Sequence, residues 1–553
     1  MSQKRLRGLS LLLSVAMITS IISGCGKNEK NNVSLDEATK KRIENLNTKS
    51  QFPIVKEPIK LKFMVSKSST QPVYGDCLVW TEYEKMTNID IEWEEVLSSA
   101  ITERRNLILA SDQDLPDAFY RCGFSEKEVQ KNGSEGTFIR LNDLIDNYMP
   151  NFKGVLEKMP SVRKSLPNVN GDIYSIAGVS DSPEVELNPK LYLNKKFMDK
   201  VGVQLPKTTD ELYTVLKAMR ENDANGNGKD DEIPLTAQSW SAIVRALKGA
   251  FGLMNKGTRH EHVDLDPKTN TLRFIPTSPE FRQLIEYVNK LYTEKLIDNQ
   301  IFEMTGGSNT SANIIAKSGL DLVGGFVYTS LAISSDETKK DFVGLEEALE
   351  GPNGDKQWNC MRPNTVAKSA FVITKTNPYP EATARWIDYF YSEEGARMYY
   401  MGVEGVSYRK TADGKYEYIP EKVEVPQGQT FDAIVSYISP YVGGGNPVLI
   451  LSDYFNGSEM EPVPYKAAHD LLDYTPDELW DYFIYTNEES EEMATLETDL
   501  FTNYYNTIMA EFITGLRPIN DQTWAEYCSK METMGLSRYM ELYNTGYNRY
   551  KNN

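Results

Sequence analysis

Residues 223 to 232 read Asp-Ala-Asn-Gly-Asn-Gly-Lys-Asp-Asp-Glu, which spells D-x-N-x-N-G-x-x-D-E. Oxygen-bearing side chains at alternate positions, with glycine at the sixth, suit a tight loop that wraps a hard cation, because the glycine permits the turn that brings a backbone carbonyl inward. Calcium is the expected ion. The twelfth position, where a bidentate acid ordinarily closes such a loop, is Pro234, so Glu232 at the tenth must close this one. One helical pattern precedes the loop, and Ile233-Pro234-Leu235 reads as extended after it. The arrangement therefore predicts a structural staple rather than a calcium switch.

A second chemical position lies near the N-terminus. Lys4, Arg5 and Arg7 precede a mostly apolar run from Leu9 to Ile22, and Ser23-Gly24-Cys25 follows. About fourteen residues fall short of a hydrocarbon core of roughly 30 Å, so residues 1–24 read as a cleaved signal peptide. Small residues before Cys25 resemble a lipobox, in which the thiol is acylated and becomes the first mature residue. Removing three basic residues moves the formal charge from −19 to −22, which disfavours nucleic acid as a partner. Residues 25–55, polar and lysine-rich, read as a lipid-anchored flexible tether with a short helix near Leu35 to Leu46.

Other chemistries find little support. Cys77, Cys122, Cys360 and Cys528 are scattered without CxxC spacing and read as buried thiols. His260, His262 and His469 form no HExxH, and no G-x-S-x-G elbow occurs. His260 and His262 read as solvated. Acids are plentiful enough that a glycosidase-type carboxylate pair stays open as an alternative. The 32 tyrosines and 7 tryptophans are the flat, polar-tipped rings that sugar clefts use, and also ordinary core residues.

The elements that must position these groups alternate. Ile59 to Val65 and Ile89 to Val96 read as strands; Cys77 to Met86 and Thr102 to Ala110 read as helices, so this region predicts a parallel sheet with crossovers. Leu141–Tyr148 and Asn151–Met159 read as short helices, Lys195–Val201 as another. Thr209–Asn222 is amphipathic, with Leu212, Leu216 and Met219 on one face. Met493 to Tyr550 reads as mainly helical. After cleavage more than 500 residues remain, too many for one core.

Several segments, taken in order, resemble the carbohydrate-binding solute-binding lipoproteins of bacterial ABC importers. They include Leu109-Ala110-Ser111 with Asp114-Leu115-Pro116-Asp117, Gly171-Asp172-Ile173-Tyr174, Leu191-Tyr192-Leu193-Asn194-Lys195, Phe371-Val372-Ile373-Thr374-Lys375, Asp388 to Gly395, and Phe512-Ile513-Thr514-Gly515. The resemblance spans about residues 56 to 550. It implies an α/β, two-lobe periplasmic-binding-protein-like fold with a hinge between the lobes and a helical C-terminal region. The lobes are expected at 56–178 plus 370–425 and at 179–369 plus 426–553. Crossings are expected near Ile173–Asn188 and Ser369–Thr376.

The loop is similar to that of alginate-oligosaccharide-binding members. By that resemblance Asp223, Asn225, Asn227, the Lys229 carbonyl, Asp231 and Glu232 are the ligands to calcium, with alginate itself not implied. The family implies a monomeric, non-enzymatic binder, lipid-anchored through Cys25 on the extracellular face of the cell membrane, that captures an oligosaccharide and passes it to ABC permease subunits. Alternatives are a peptide- or other solute-binding or sensory lipoprotein of the same fold, or a secreted glycoside hydrolase. Sugar recognition needs ring faces together with amides, carboxylates or guanidiniums. Trp240, Tyr328, Trp358, Lys67, Tyr120, Arg121 and Glu404 are the cleft candidates. Trp240 is equally readable as a core ring, whereas Trp80, Trp93 and Trp386 read as core.

Overall fold

The computed structural model describes residues 37–69, 71–111, 113–304, 306–424, 431–440 and 445–552. The signal segment, Cys25 and the first part of the expected tether lie outside the described residues. Contacts divide Met1–Glu44 from Asn45–Asn553. Of the first unit, only residues 37–44 are described, and they lie in the helix Glu37–Asn45.

The strands of the second unit begin with β1 (Ile59–Lys67), β2 (Ile89–Leu97), β3 (Ala118–Tyr120), β4 (Ile176–Asp181), β5 (Lys190–Asn194) and β6 (Thr236–Ala237). They continue with β7 (Val263–Leu265), β8 (Leu272–Phe274), β9 (Gly325–Tyr328) and β10 (Phe342–Gly344). The last four are β11 (Thr365–Ile373), β12 (Tyr408–Lys410), β13 (Tyr416–Tyr418) and β14 (Leu449–Leu451). One sheet has the order β14-β4-β11-β3-β1-β2 and another β10-β5-β9-β6. In the first, β1 runs parallel to β2 and β3, joined by helices at Leu78–Thr87 and Ile101–Ser111 as the strand–helix alternation predicts. In the second, β6 runs parallel to β9 while β5 opposes it.

Each sheet has its own core. Phe63, Trp80, Tyr83, Trp386 and Phe390 fill that of the first, with Trp80 stacked on Trp386 at 5.3 Å. Leu212, Leu216, Met219, Phe281, Leu284 and Phe512 belong to the other. The helix Thr209–Glu221 starts where the Thr208 hydroxyl accepts the Glu211 amide at 3.0 Å, and its buried face is the apolar stripe of the sequence. Burying each such side chain contributes about 1.5–3 kcal/mol. The C-terminal helices, from Asn506–Thr514 to Leu536–Asn552, pack into this second core. Cys77, Cys122 and Cys360 are buried free thiols, and Cys528 is half-buried.

Three boundaries differ from expectation. Leu46, Ile54 and Val55 are buried in the first core, so residues 46–55 are packed chain rather than tether. Their apolar side chains, few as they are, find partners near Tyr83 and Tyr389, where Phe52 also packs edge-on. Residues 365–373 form a central strand of the first sheet, so the crossing expected at Ser369–Thr376 lies N-terminal to it. Finally, β14 pairs in parallel with β4, placing Leu449–Leu451 in the first sheet and not with the second lobe.

Candidate binding cleft and cation loop

The cation loop leaves the helix Thr209–Glu221 through Asp223 at φ +47°, and Gly226 and Gly228 also have positive φ. Gly226 takes φ +81°, a conformation that favours glycine, while the nearest atom to a Cβ there, Lys200 Nζ at 2.4 Å, is the tip of a flexible side chain that can give way. Side chains then turn onto the loop. Asp223 Oδ1 accepts the Gly228 amide at 3.1 Å, Asn225 Oδ1 accepts Asn227 N at 3.0 Å, and Asn227 Oδ1 accepts Lys229 N at 2.8 Å. Both asparagine amides donate to Asp231 at 3.0 Å, which holds its carboxyl below the usual range.

Glu232 is 5% exposed, and its Oε2 is buried without a hydrogen-bond partner among the described residues. An orphaned carboxylate oxygen is costly to bury. An oxygen beside Asp223, Asn225, Asn227 and Asp231 is of the type a calcium ion takes, although among the described residues no three His, Cys, Asp or Glu side chains converge as they would around a bound metal. Rotating either asparagine amide would present oxygen where N–H now lies. Asp230 is diverted to Arg220, 2.6 Å away, and takes no part in the set.

Ligands of open α/β sheets bind beyond the carboxyl ends of parallel strands. At that edge of the first sheet stand Lys67, Tyr120 and Arg121, and at that edge of the second Trp240 and Tyr328. Lys67 Nζ is held by Glu95 Oε2 at 2.7 Å and the Pro72 carbonyl at 2.9 Å. Arg121 is half-buried at φ +54°. Trp240 is half-buried at the start of the helix Trp240–Leu247, capped by Ser239, with its ring 6.1 Å from Phe302.

Two candidates are core residues. Tyr120 is fully buried among Trp80, Trp93 and Phe371, with its hydroxyl 3.2 Å from that of Tyr399. Trp358 is 1% exposed and donates from Nε1 to the Pro189 carbonyl at 3.1 Å. Neither ring has a face open to a ligand. Glu404 is exposed in a turn bridged to Tyr408 and is grouped with none of the others. His260 and His262 are not solvated: His260 stacks on Phe483 and His262 on Phe501, and burial pushes both down to about 4, so they are neutral at pH 7.

The structure adds groups that sequence reasoning missed. Gln238 Nε2 donates to Ser311 Oγ at 2.5 Å, and the Tyr328 phenol, raised by burial, lies close enough to Ser311 for that hydroxyl to offset part of the rise. An amide, a hydroxyl and a phenol thus cluster at the carboxyl end of the second sheet. Gln238, two residues before Trp240, was legible as a neighbour; Ser311 arrives by packing from 73 residues away.

Between the sheets the chain passes three times, through residues 182–189, 362–364 and 452–461. Glu184, 1% exposed, accepts Ser182 Oγ at 2.8 Å and Ser452 Oγ at 2.7 Å, and its Oε1 is 2.7 Å from His469 Nε2. Glu186 accepts the Ser182 amide at 3.1 Å and Asn364 Nδ2 at 3.3 Å. Burial outweighs these bonds and raises Glu186 to about 7. Because the folded value lies above the ordinary 4.5, the folded state holds the extra proton, and stability falls as pH rises from 4.5 through 7. Glu186→Gln is therefore expected to stabilise the protein at pH 8 by about 3 kcal/mol and to change little at pH 4, measured by urea unfolding at both values. An equal effect at the two values would contradict this.

Residues 66–397 match the family described as bacterial extracellular solute-binding protein. The chain is 27% identical over 566 positions, covering 98% of each, to the fructooligosaccharide ABC transporter substrate-binding protein FusA of Streptococcus pneumoniae serotype 4. Its structure resembles that of an S. pneumoniae FusA EF-hand mutant in complex with fructo-nystose, with TM-score 0.69 and 26% identity over 89% of this chain and 99% of the other. It also resembles the alginate-binding protein AlgQ2 without calcium ion, with TM-score 0.69 and 22% identity over 89% and 99% of the two chains. The two-sheet arrangement is thus the two-lobe α/β fold of solute-binding proteins.

Proposed function

Because the chain belongs to the bacterial extracellular solute-binding protein family, we propose that it captures an oligosaccharide between its lobes and delivers it to ABC permease subunits without chemical change. The observation that carries this reading is the group at the carboxyl end of the second sheet. Trp240 and Tyr328 supply rings, while Gln238 and Ser311 supply uncharged hydrogen-bonding groups. That is the equipment for sugar C–H faces and hydroxyls. The likeness to FusA along nearly the whole chain supports it.

The lobes in this proposal are residues 46–181 with 365–451 and residues 190–361 with 462–552, and the three crossings form the hinge. Contacts made only in the closed state shift the lobes toward closure. Calcium, held by Asp223, Asn225, Asn227, the Lys229 carbonyl, Asp231 and Glu232, supplies a charge that gathers the loop. The protein is a monomer, and acylated Cys25 anchors it on the extracellular face of the membrane.

The test is calorimetry and thermal shift with neutral oligosaccharides, starting from fructooligosaccharides. A ligand at 100 times its Kd adds about 2.7 kcal/mol, well within detection. Stabilisation by peptides alone would overturn the substrate class, and turnover of a bound glycan would overturn the binding role.

A further inference from the structure

The third crossing carries an acid with no assigned task. Glu459 lies on the short turn Ser458–Met460, half-buried. The turn is fastened to the loop after β9, because Ser458 Oγ and Ser330 Oγ are 2.7 Å apart. This brings the turn that carries Glu459 to the loop that follows Tyr328, the last residue of β9, at the same edge as Gln238 and Ser311. Its negative charge raises the Tyr328 phenol and opposes the fall that burial imposes on Lys190 and Arg362. It is therefore within electrostatic reach of all three.

The cations nearby are already occupied. Lys190, fully buried, donates to the carbonyls of Glu184 at 3.0 Å and Thr329 at 3.2 Å. Arg362 donates from Nη2 to the Val185 carbonyl at 2.8 Å. Glu459 itself makes no hydrogen bond or ion pair among the described residues. A carboxylate can accept from about four directions, and its oxygens are spaced to take two donors together. What it lacks is donors in front.

Resting on the oligosaccharide-capture reading, we propose that Glu459 is a ligand-binding residue that accepts paired hydroxyls of a neutral saccharide. Adjacent hydroxyls on a sugar ring offer two O–H donors side by side and no charge. A uronic acid would instead bring a carboxylate toward Glu459, and the cations that could offset it are bonded to backbone carbonyls. Glu459 thus selects uncharged glycans over acidic ones by repulsion as well as attraction.

The experiment measures Kd by calorimetry for fructooligosaccharides and for oligogalacturonate, using the wild-type protein, Glu459→Gln and Glu459→Ala. The neutral glycan is expected to bind the glutamine variant 10- to 100-fold more weakly and the alanine variant more weakly still. Oligogalacturonate is expected to gain affinity in both. Ligand-free melting temperatures report that the variants fold. Alanine-variant affinity within threefold of wild type for the neutral glycan would overturn this inference and leave the capture reading standing. Wild-type protein that binds no neutral glycan would overturn both.

Discussion

Glu184→Ala is expected to destabilise the protein by about 3–5 kcal/mol, the cost of removing one partner from a buried charge-bearing network. The carboxylate gathers Ser182 from the first crossing, Ser452 from the third and His469 from the helix Pro462–Leu471. Alanine leaves two hydroxyls and an imidazole nitrogen without their acceptor at the point where the lobes are joined. Although burial pushes Glu184 up, the Ser452 hydroxyl, the backbone, Ser182 and His469 together hold it below the usual range. Its contribution is therefore present above pH 4.5 and lost as pH falls through the lower folded value. Urea unfolding at pH 7 and pH 3.5 checks both statements: the penalty should be large at pH 7 and smaller in acid. His469→Ala, which leaves the serine bonds intact, should cost no more than about 1.5 kcal/mol. A Glu184→Ala penalty under 1 kcal/mol at pH 7 would show that the crossings are held by backbone alone.

Legibility in the sequence follows the range of the interaction that decides each feature. Helix Lys195–Val201 was readable to its ends because both stops are local: the Asn194 side chain caps the Phe197 amide, and Gly202 takes φ +76°. The loop at Asp223 to Glu232 was readable because its donors are consecutive in the chain. The crossings were not. Phe371-Val372-Ile373 looks alike as a strand passing through a sheet or passing out of it, and only its pairing with β3 decides. Leu449–Leu451, three residues long, has no period to read. Trp358 stands among Asp355, Lys356 and Gln357, polar in one dimension, yet its burial is set by Pro189 and Tyr474, over 100 residues away on each side. The Glu184–His469 contact spans 285 residues and carries no local signal at all.

Calcium is expected to raise the melting temperature by about 8–16 °C when present at 1,000 times its Kd. That concentration adds about 4 kcal/mol, and a lobe of roughly 260 residues moves about 2–4 °C for each. Glu232 carries the effect. Its Oε2 is buried and unpartnered, so in the absence of a cation the loop carries a desolvated oxygen that nothing repays. Glu232→Ala should remove both the liability and the response, giving a protein whose melting temperature is the same with calcium and with chelator. Asp230→Ala should retain the response in full, because Asp230 is turned onto Arg220. The loop is joined to the second sheet through Ile233, whose amide donates to Leu322 O at 2.8 Å, and among the described residues its side-chain bonds stay within the loop and to Arg220 and Lys200. Chelation should accordingly change the glycan Kd by less than about fivefold, small beside the 5.5 kcal/mol a decisive population shift requires. Loss of glycan binding on chelation, with the melting temperature unmoved, would make the loop a switch.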